Sequence, residues 1–260
     1  MSNSKLAFDD HGQGTEVLLI HGFPLCRKMW QPQIGSLVAA GYRVVTPDLR
    51  GYGDSAPERF PLHMEDYAAD LVALLDELAI DRAVIGGFSM GGYVLMSLLE
   101  RYPERVKAAL FMMTRAAADD EAGKQRRKLL ADEALELGPE RVADAFASLL
   151  FAPGTGPQSP LVHEVRRWML ATVPGSMAAG LLAMRERKDY VASLKNFTTP
   201  ALVIGADQDL AIPLGHSVLL DKGLPHSELQ VVAGAGHLAN LEQPERFNRI
   251  LLDYLARLAG

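Results

Sequence analysis

The chain is almost without cysteine. Cys26 is the single thiol in 260 residues, which excludes an intrachain disulfide framework and any zinc or iron–sulfur centre built on cysteines. A long apolar run is also lacking: none reaches the roughly 18 residues of a membrane-span candidate. The N-terminal stretch turns acidic at Asp9 and Asp10, where a secretory leader would need its apolar centre. Cationic excess is missing too. The 26 Lys+Arg stand against 32 Asp+Glu, a formal net charge of −6, which argues against nucleic acid or a membrane surface as partner. No repeat or low-complexity tract breaks the chain. A soluble, reduced, cytoplasmic protein is the expectation.

What is present is apolar side chain in short, regular pieces. Hydrophobic residues make up 48% of the chain, enough for a sizeable core. Apolar runs recur at Val17–Ile20, Arg43–Val45, Arg82–Ile85, Val106–Phe111, Ala201–Ile204 and Leu229–Val232. Most do not alternate with polar residues, as expected of strands covered on both faces. Helical spacing fills the gaps: Tyr67, Leu71, Leu74, Leu75 and Leu78 share one face, and Val94, Leu95, Leu98 and Leu99 another. Pro244 is placed as a first-turn proline ahead of Phe247, Ile250, Leu251, Tyr254 and Leu255. This alternation predicts an α/β fold, a mostly parallel central sheet flanked by helices. The rhythm stops between Thr114 and Thr199, where Gly138-Pro139, Pro153–Pro160 and Pro174-Gly175 separate helical pieces. Residues 1–114 and 199–260 therefore read as the core domain. Residues 115–198 read as a helical cap, expected over the carboxyl edge of the strands.

The sharpest local signal is Gly87-Phe88-Ser89-Met90-Gly91-Gly92, between a strand run and a helix. A G-x-S-x-G sequence in that context is a nucleophile elbow: a tight turn that exposes Ser89 at the head of a helix. There the backbone N–H of Met90 can meet a developing oxyanion. A serine hydroxyl needs a base. Of the seven histidines, His237 lies in Gly234-Ala235-Gly236-His237, just after the last strand run. His226 precedes that strand and belongs to the opposite end of the sheet. The base needs an orienting carboxylate, and two acids, Asp207 and Asp209, follow the run Ala201–Ile204. A second oxyanion donor is expected after Val17–Ile20, in His21-Gly22-Phe23-Pro24. The amide of Phe23 fits, because Pro24 has no N–H. His21 precedes the serine, so its expected task is to hold this loop through side-chain hydrogen bonds.

Together with Pro47-Asp48-Leu49-Arg50-Gly51-Tyr52-Gly53-Asp54-Ser55, these segments resemble the α/β-hydrolase superfamily over nearly the whole chain. Within it the likeness is to serine esterases and the 3-oxoadipate enol-lactonase type. The loop Asp209–Pro213, with proline four residues after the acid, matches that pattern, so the resemblance selects Asp209 and leaves Asp207 as a turn residue. It implies the triad Ser89, Asp209 and His237, an oxyanion hole from the Phe23 and Met90 amides, no metal, no cofactor, and a small ester or lactone substrate. Epoxide hydrolases and haloalkane dehalogenases of this fold attack with an aspartate at the elbow, which Ser89 excludes. Cofactor-free perhydrolases and haloperoxidases remain open, as do carbon–carbon bond hydrolases, although Phe88 replaces their usual Asn. A non-catalytic receptor on this scaffold is the competing class. Such receptors often lose a triad member, and here all three are present.

Substrate selection is expected in the cap. Trp168, Met169, Met177, Leu181, Leu182 and Met184 are candidates for an acyl pocket. Cations cluster at Arg126-Arg127-Lys128, at Arg166-Arg167 and at Arg115, where solvated helix faces are the ordinary explanation. Cys26 reads as a small buried hydrophobe.

Overall fold

A computed structural model describes residues 6–55, 60–61 and 63–259, with nothing stated of the Ala259 side chain. Met1–Lys5, part of the stretch read above for leader character, lie outside the described residues. Seven strands form one sheet. They are β1 (Phe8–His11), β2 (Thr15–Ile20), β3 (Tyr42–Pro47), β4 (Ala83–Phe88), β5 (Val106–Met112), β6 (Ala201–Ala206) and β7 (Ser227–Val232), in the spatial order β1-β3-β2-β4-β5-β6-β7. All neighbours pair parallel except β1, which runs antiparallel to β3 with Phe8 opposite Pro47. Every residue of β4 and of β6 is buried, which explains their unalternating apolar sequences.

Successive side chains along a strand leave by opposite faces, and β2 shows the division. Leu18 and Ile20 enter one core with Tyr67, Leu71, Val94 and Leu98, whereas Val17 and Leu19 enter the other with Leu37, Phe247 and Leu251. The first face is covered by α2 (Met64–Glu77) and α3 (Met90–Arg101), the second by α1 (Gln31–Ala39) and the C-terminal helix Pro244–Ala259. Each fully buried leucine on these faces contributes about 1.5–3 kcal/mol.

Between β5 and β6 the described residues form no strand. Four α-helices occupy the interval, α4 (Glu121–Leu137), α5 (Pro139–Leu150), α6 (Pro160–Leu170) and α7 (Pro174–Arg185), followed by a short 3-10 helix at Val191–Asn196. Proline opens α5, α6 and α7, where its missing N–H costs nothing. This segment rests on loops that leave the carboxyl ends of the strands. Thr172 donates to the Pro24 carbonyl at 3.4 Å, Tyr52 to the Ser176 carbonyl at 3.4 Å, and the Leu238 N–H to the Leu150 carbonyl at 2.9 Å. Three further helices follow β6: α8 (Gly215–Gly223), the single-turn α9 (Ala239–Glu242) and α10, the C-terminal helix already described.

Two local expectations differ from the structure. Strand β1 has no counterpart among the predicted runs, because Phe8-Asp9-Asp10-His11 is neither alternating nor apolar and is defined by its pairing with β3 alone. Strand β4 starts after Arg82 and continues past Ile85 through Gly86, Gly87 and Phe88. Glycine is a poor strand former, but a Cβ on Gly86 would lie 2.8 Å from both the Leu19 and the Met112 side chains, so packing requires its absence.

Candidate active site

In a parallel sheet every strand delivers its following loop to the same edge, and register decides which loops become neighbours. Ile20 pairs with Gly87, so the loop after β2 lies beside the turn after β4. Ala206 pairs with Val232, so the loops bearing Asp209 and His237 leave the edge side by side.

Ser89 occupies the turn between β4 and α3 with φ 52° and ψ −111°. A non-glycine residue there carries roughly 1–3 kcal/mol of backbone strain, and its polar groups are tied on three sides. Its N–H donates to the Met112 carbonyl at 2.9 Å, while its carbonyl accepts the Gly92 N–H at 2.9 Å and the Thr114 hydroxyl at 2.8 Å. Helix α3 must also pass close to β2. A Cβ on Gly91 would stand 2.6 Å from the Ile20 carbonyl oxygen and 2.8 Å from that of His21. On the facing loop, a Cβ on Gly22 would lie 3.3 Å from the Ser89 Cβ. The glycines of this sequence are therefore spacing elements around Ser89.

His237 is 3% exposed and Asp209 5%. The imidazole Nδ1 meets Asp209 Oδ2 at 2.7 Å, and the other carboxylate oxygen accepts the N–H groups of Ala211 and Ile212 at 2.8 Å each. With an acceptor at Nδ1, the proton belongs there and Nε2 keeps its lone pair. The ring also packs edge-on against Phe88, the residue before the serine, with centroids 5.2 Å apart. Asp207 has a different partner: its Oδ1 accepts the Gly234 N–H at 2.7 Å, bracing the start of the histidine loop. Glu242 braces the end of that loop. Its Oε2 accepts the Gly236 N–H at 2.7 Å, and its Oε1 accepts the Ala152 N–H at 2.8 Å and the Thr155 hydroxyl at 2.6 Å.

His21 lies beneath the site rather than in it. Its Nδ1 donates to the Gly22 carbonyl at 2.9 Å and its Nε2 accepts the Leu49 N–H at 2.9 Å. Burial is the main influence on its titration and, against the raising charge of Asp48, holds it below the usual histidine range. The loop it fixes presents the Phe23 amide, which has no backbone acceptor among the described residues. The Met90 N–H opens α3, where a helix supplies no internal acceptor. His226 sits at the amino end of the sheet, its carbonyl accepting the N–H of Ala201, the first residue of β6. Burial pushes the Cys26 thiol up to about 11, so it is inert as a nucleophile.

Ser89 and His237 line one cavity of about 460 Å³, together with Phe23, Tyr93, Phe146 and Ile212. Of the six residues expected to shape an acyl pocket, Leu181 and Met184 reach it. Met169 and Met177 are buried in the packing of the helices, and Trp168 and Leu182 lie against the cores. Leu130, Leu149 and Leu150 on α4 and α5, and Leu210 after β6, line it without having been foreseen. Nothing in an amphipathic helix says which apolar residue meets a void and which meets a neighbour. Among the charged clusters, Arg115, Arg126 and Arg127 line the cavity. Arg166 and Arg167 pair instead with Asp144 and Glu164.

Comparison with known proteins adds a consistent picture. The sequence profile of the alpha/beta hydrolase fold matches residues 16–244. The 3-oxoadipate enol-lactonase 2 of Acinetobacter baylyi is 31% identical over 220 residues, spanning 85% of this chain and 80% of its own. A thermophilic esterase from Thermogutta terrifontis, solved with malate bound, superposes with a TM-score of 0.94 at 34% identity, covering 98% of this chain and 94% of its own. A bromoperoxidase from Bacillus anthracis superposes with a TM-score of 0.86 at 26% identity, covering 96% and 95%.

Proposed function

The chain belongs to the alpha/beta hydrolase fold family, and on that premise we propose that it is a serine hydrolase of small carboxylic esters or lactones, working through an acyl-enzyme. The observation that carries this reading is the buried His237–Asp209 contact opening onto the cavity that holds Ser89. Residues 115–198 act as the cap over a core of residues 1–114 and 199–260, supplying the apolar wall that keeps water from the reacting carbonyl.

Ser89 attacks the carbonyl carbon while His237 Nε2 takes the hydroxyl proton. Asp209 holds the imidazole in the required tautomer and stabilises the cation that forms. The amides of Phe23 and Met90 receive the oxyanion of the tetrahedral intermediate. His237 then returns the proton to the leaving alkoxide, and water repeats the cycle on the acyl-enzyme. The residues in these roles need neither metal nor cofactor. The acidic charge balance and this site favour small molecules over nucleic acid as substrates, and a single thiol, Cys26, fits a reducing, cytoplasmic setting. No described helix is long and apolar enough to cross a membrane.

The decisive test is hydrolysis of 4-nitrophenyl butyrate by the Ser89→Ala variant, beside mass spectrometry of the wild type after a phosphonate ester. A rate loss of at least about a thousandfold and an adduct on Ser89 are expected. Wild-type turnover by the variant overturns the assignment, and a folded protein with no adduct favours the receptor reading. The likeness to a bromoperoxidase supports a second outcome at the same acyl-enzyme: attack by hydrogen peroxide in place of water, releasing a peracid. Titrating peracid in reactions with added peroxide checks it.

A further inference from the structure

The arginines on the cavity wall are not explained by ester cleavage. Asp119, its side chain 3% exposed, is the centre of the cluster. It accepts from Arg115 and Arg127, and from both terminal nitrogens of Arg187 at 2.8 and 2.9 Å. Burial alone would raise the Asp119 carboxyl, but the hydrogen bond from Arg187 and the charge of Arg127 hold it well below the usual range. Asp119 is thus a carboxylate with its oxygens occupied. Arg187 is further offset by the charge of Asp189 and lies over the Tyr93 ring, 4.4 Å from its centroid.

The guanidiniums that face the cavity keep donors to spare. Arg115 commits one terminal nitrogen to Asp119, while its Nε, without a hydrogen-bond partner among the described residues, is buried away from the cavity. Arg127 Nη1 reaches only the thioether sulfur of Met184, at 3.4 Å, a weak acceptor. Arg126 lines the same cavity, and no ion pair or hydrogen bond engages it among the described residues. Three guanidiniums therefore stand against one carboxylate in a lining that is otherwise apolar apart from Ser89, Tyr93 and His237. Arg126 is exposed and solvated, but Arg115 and Arg127 are half-buried and share one carboxylate with Arg187. An ion cluster that served only to hold α4 to α7 would be balanced within itself, since unpaired charge next to apolar surface is costly. The field of this wall also reaches α8. Burial first, and then the charges of Arg115 and Arg187, lower His216 against the opposing charge of Asp209.

We propose that Arg115, Arg126 and Arg127 form an anion subsite in this cavity, and that the ester or lactone cleaved at Ser89 carries a carboxylate. The inference rests on the serine-hydrolase reading and narrows its substrate class. A planar carboxylate matches the guanidinium fork, which can donate two parallel N–H groups. Leu130, Phe146, Leu181 and Met184 line the same cavity, so the substrate has an apolar body separating its reacting carbonyl from its charge.

The test compares 4-nitrophenyl hydrogen pimelate with its methyl-capped neutral counterpart, through the ratio of their kcat/KM values. The wild type favours the carboxylate by about tenfold or more. Arg126→Gln lowers that ratio by about threefold to fivefold, the modest effect of a solvated cation, and Arg115→Gln lowers it further. Arg166→Gln removes the same charge outside the cavity and leaves the ratio unchanged. Added salt depresses the wild-type preference more than that of Arg126→Gln. A wild type indifferent to the carboxylate, or equal ratios in Arg126→Gln and Arg166→Gln, overturns the subsite. Calorimetry of monomethyl against dimethyl pimelate binding to the wild type and Arg126→Gln separates the two readings. Tighter binding of the anion, weakened by the substitution, upholds the subsite even if neither ester is cleaved. Cleavage of the neutral ester with no anion preference upholds the hydrolase and removes the subsite.

Discussion

His21 Nε2 accepts the backbone N–H of Leu49 across 28 residues of sequence, at 2.9 Å, with both residues fully buried. One imidazole thereby joins the loop after β2 to the loop after β3, while its other nitrogen secures the Gly22 carbonyl beside Phe23. The ring looks catalytic in composition and is architectural in place.

His21→Gln is expected to lose about 1–3 kcal/mol of stability, the cost of leaving a buried backbone donor unsatisfied. The effect has a pH signature. Burial lowers the folded-state pKa of His21 below the unfolded value of 6.5, so the unfolded chain binds the proton more readily. The stabilisation is complete above pH 6.5 and diminishes as the pH falls below it. Urea denaturation at pH 8 and pH 5.5 measures this. The wild type loses stability between them through His21, and the variant lacks that component.

Asp207 and Asp209 are two residues apart and hold different partners. Asp209→Asn removes the acceptor that sets the His237 tautomer, and kcat is expected to fall by about three to four orders of magnitude with little change in KM. Asp207→Asn weakens only the brace on the Gly234 N–H, so its effect stays within about tenfold. Steady-state kinetics on 4-nitrophenyl butyrate distinguishes them, and equal losses would remove the distinction between the two acids.

Gly91→Ala places a methyl group 2.6 Å from one backbone oxygen and 2.8 Å from another. Backbone cannot yield as a side-chain tip does, so about 2–3 kcal/mol of stability is lost. The elbow also moves away from the Phe23 loop. A fall in both Tm and kcat is expected, whereas Gly154→Ala, whose added Cβ meets nothing within 4 Å, changes neither.

Glu242 is a positioning residue. Glu242→Ala frees the N–H groups of Gly236 and Ala152 together, and a stability loss of about 2–3 kcal/mol is expected. The imidazole loosens at the same time, so kcat falls with KM nearly constant, and the turn at residues 151–159 becomes open to limited proteolysis. Glu242→Gln keeps one oxygen as acceptor for Ala152 and Thr155 but sets its NH2 against the Gly236 N–H, so it recovers only part of the stability. A variant with wild-type kcat would show that the histidine loop holds itself.

What the sequence disclosed follows from how local each signal is. The elbow, the histidine loop and six strands announce themselves, because glycine spacing and short apolar runs, most of them buried on both faces, are written in adjacent residues. Strand β1 is not so written, since only the edge of β3 defines it. The cavity wall was legible in part. Leu181 and Met184 were foreseen, but Leu130, Phe146 and Leu150 depend on how α4 and α5 rotate against α7. Asp119 is not legible in the sequence for the same reason: its meaning arises from three arginines brought together by folding, one of them 68 residues away.

The carboxylate of Glu242 has one oxygen on the histidine loop and the other on the turn beyond α5. A chimera that exchanged the helices between β5 and β6 for those of a relative would inherit a misaligned His237 unless position 242 and residues 152–155 travelled with the graft. Directed evolution of specificity in this scaffold is therefore better aimed at single positions on the inner faces of α4 and α5 than at wholesale replacement of the roof.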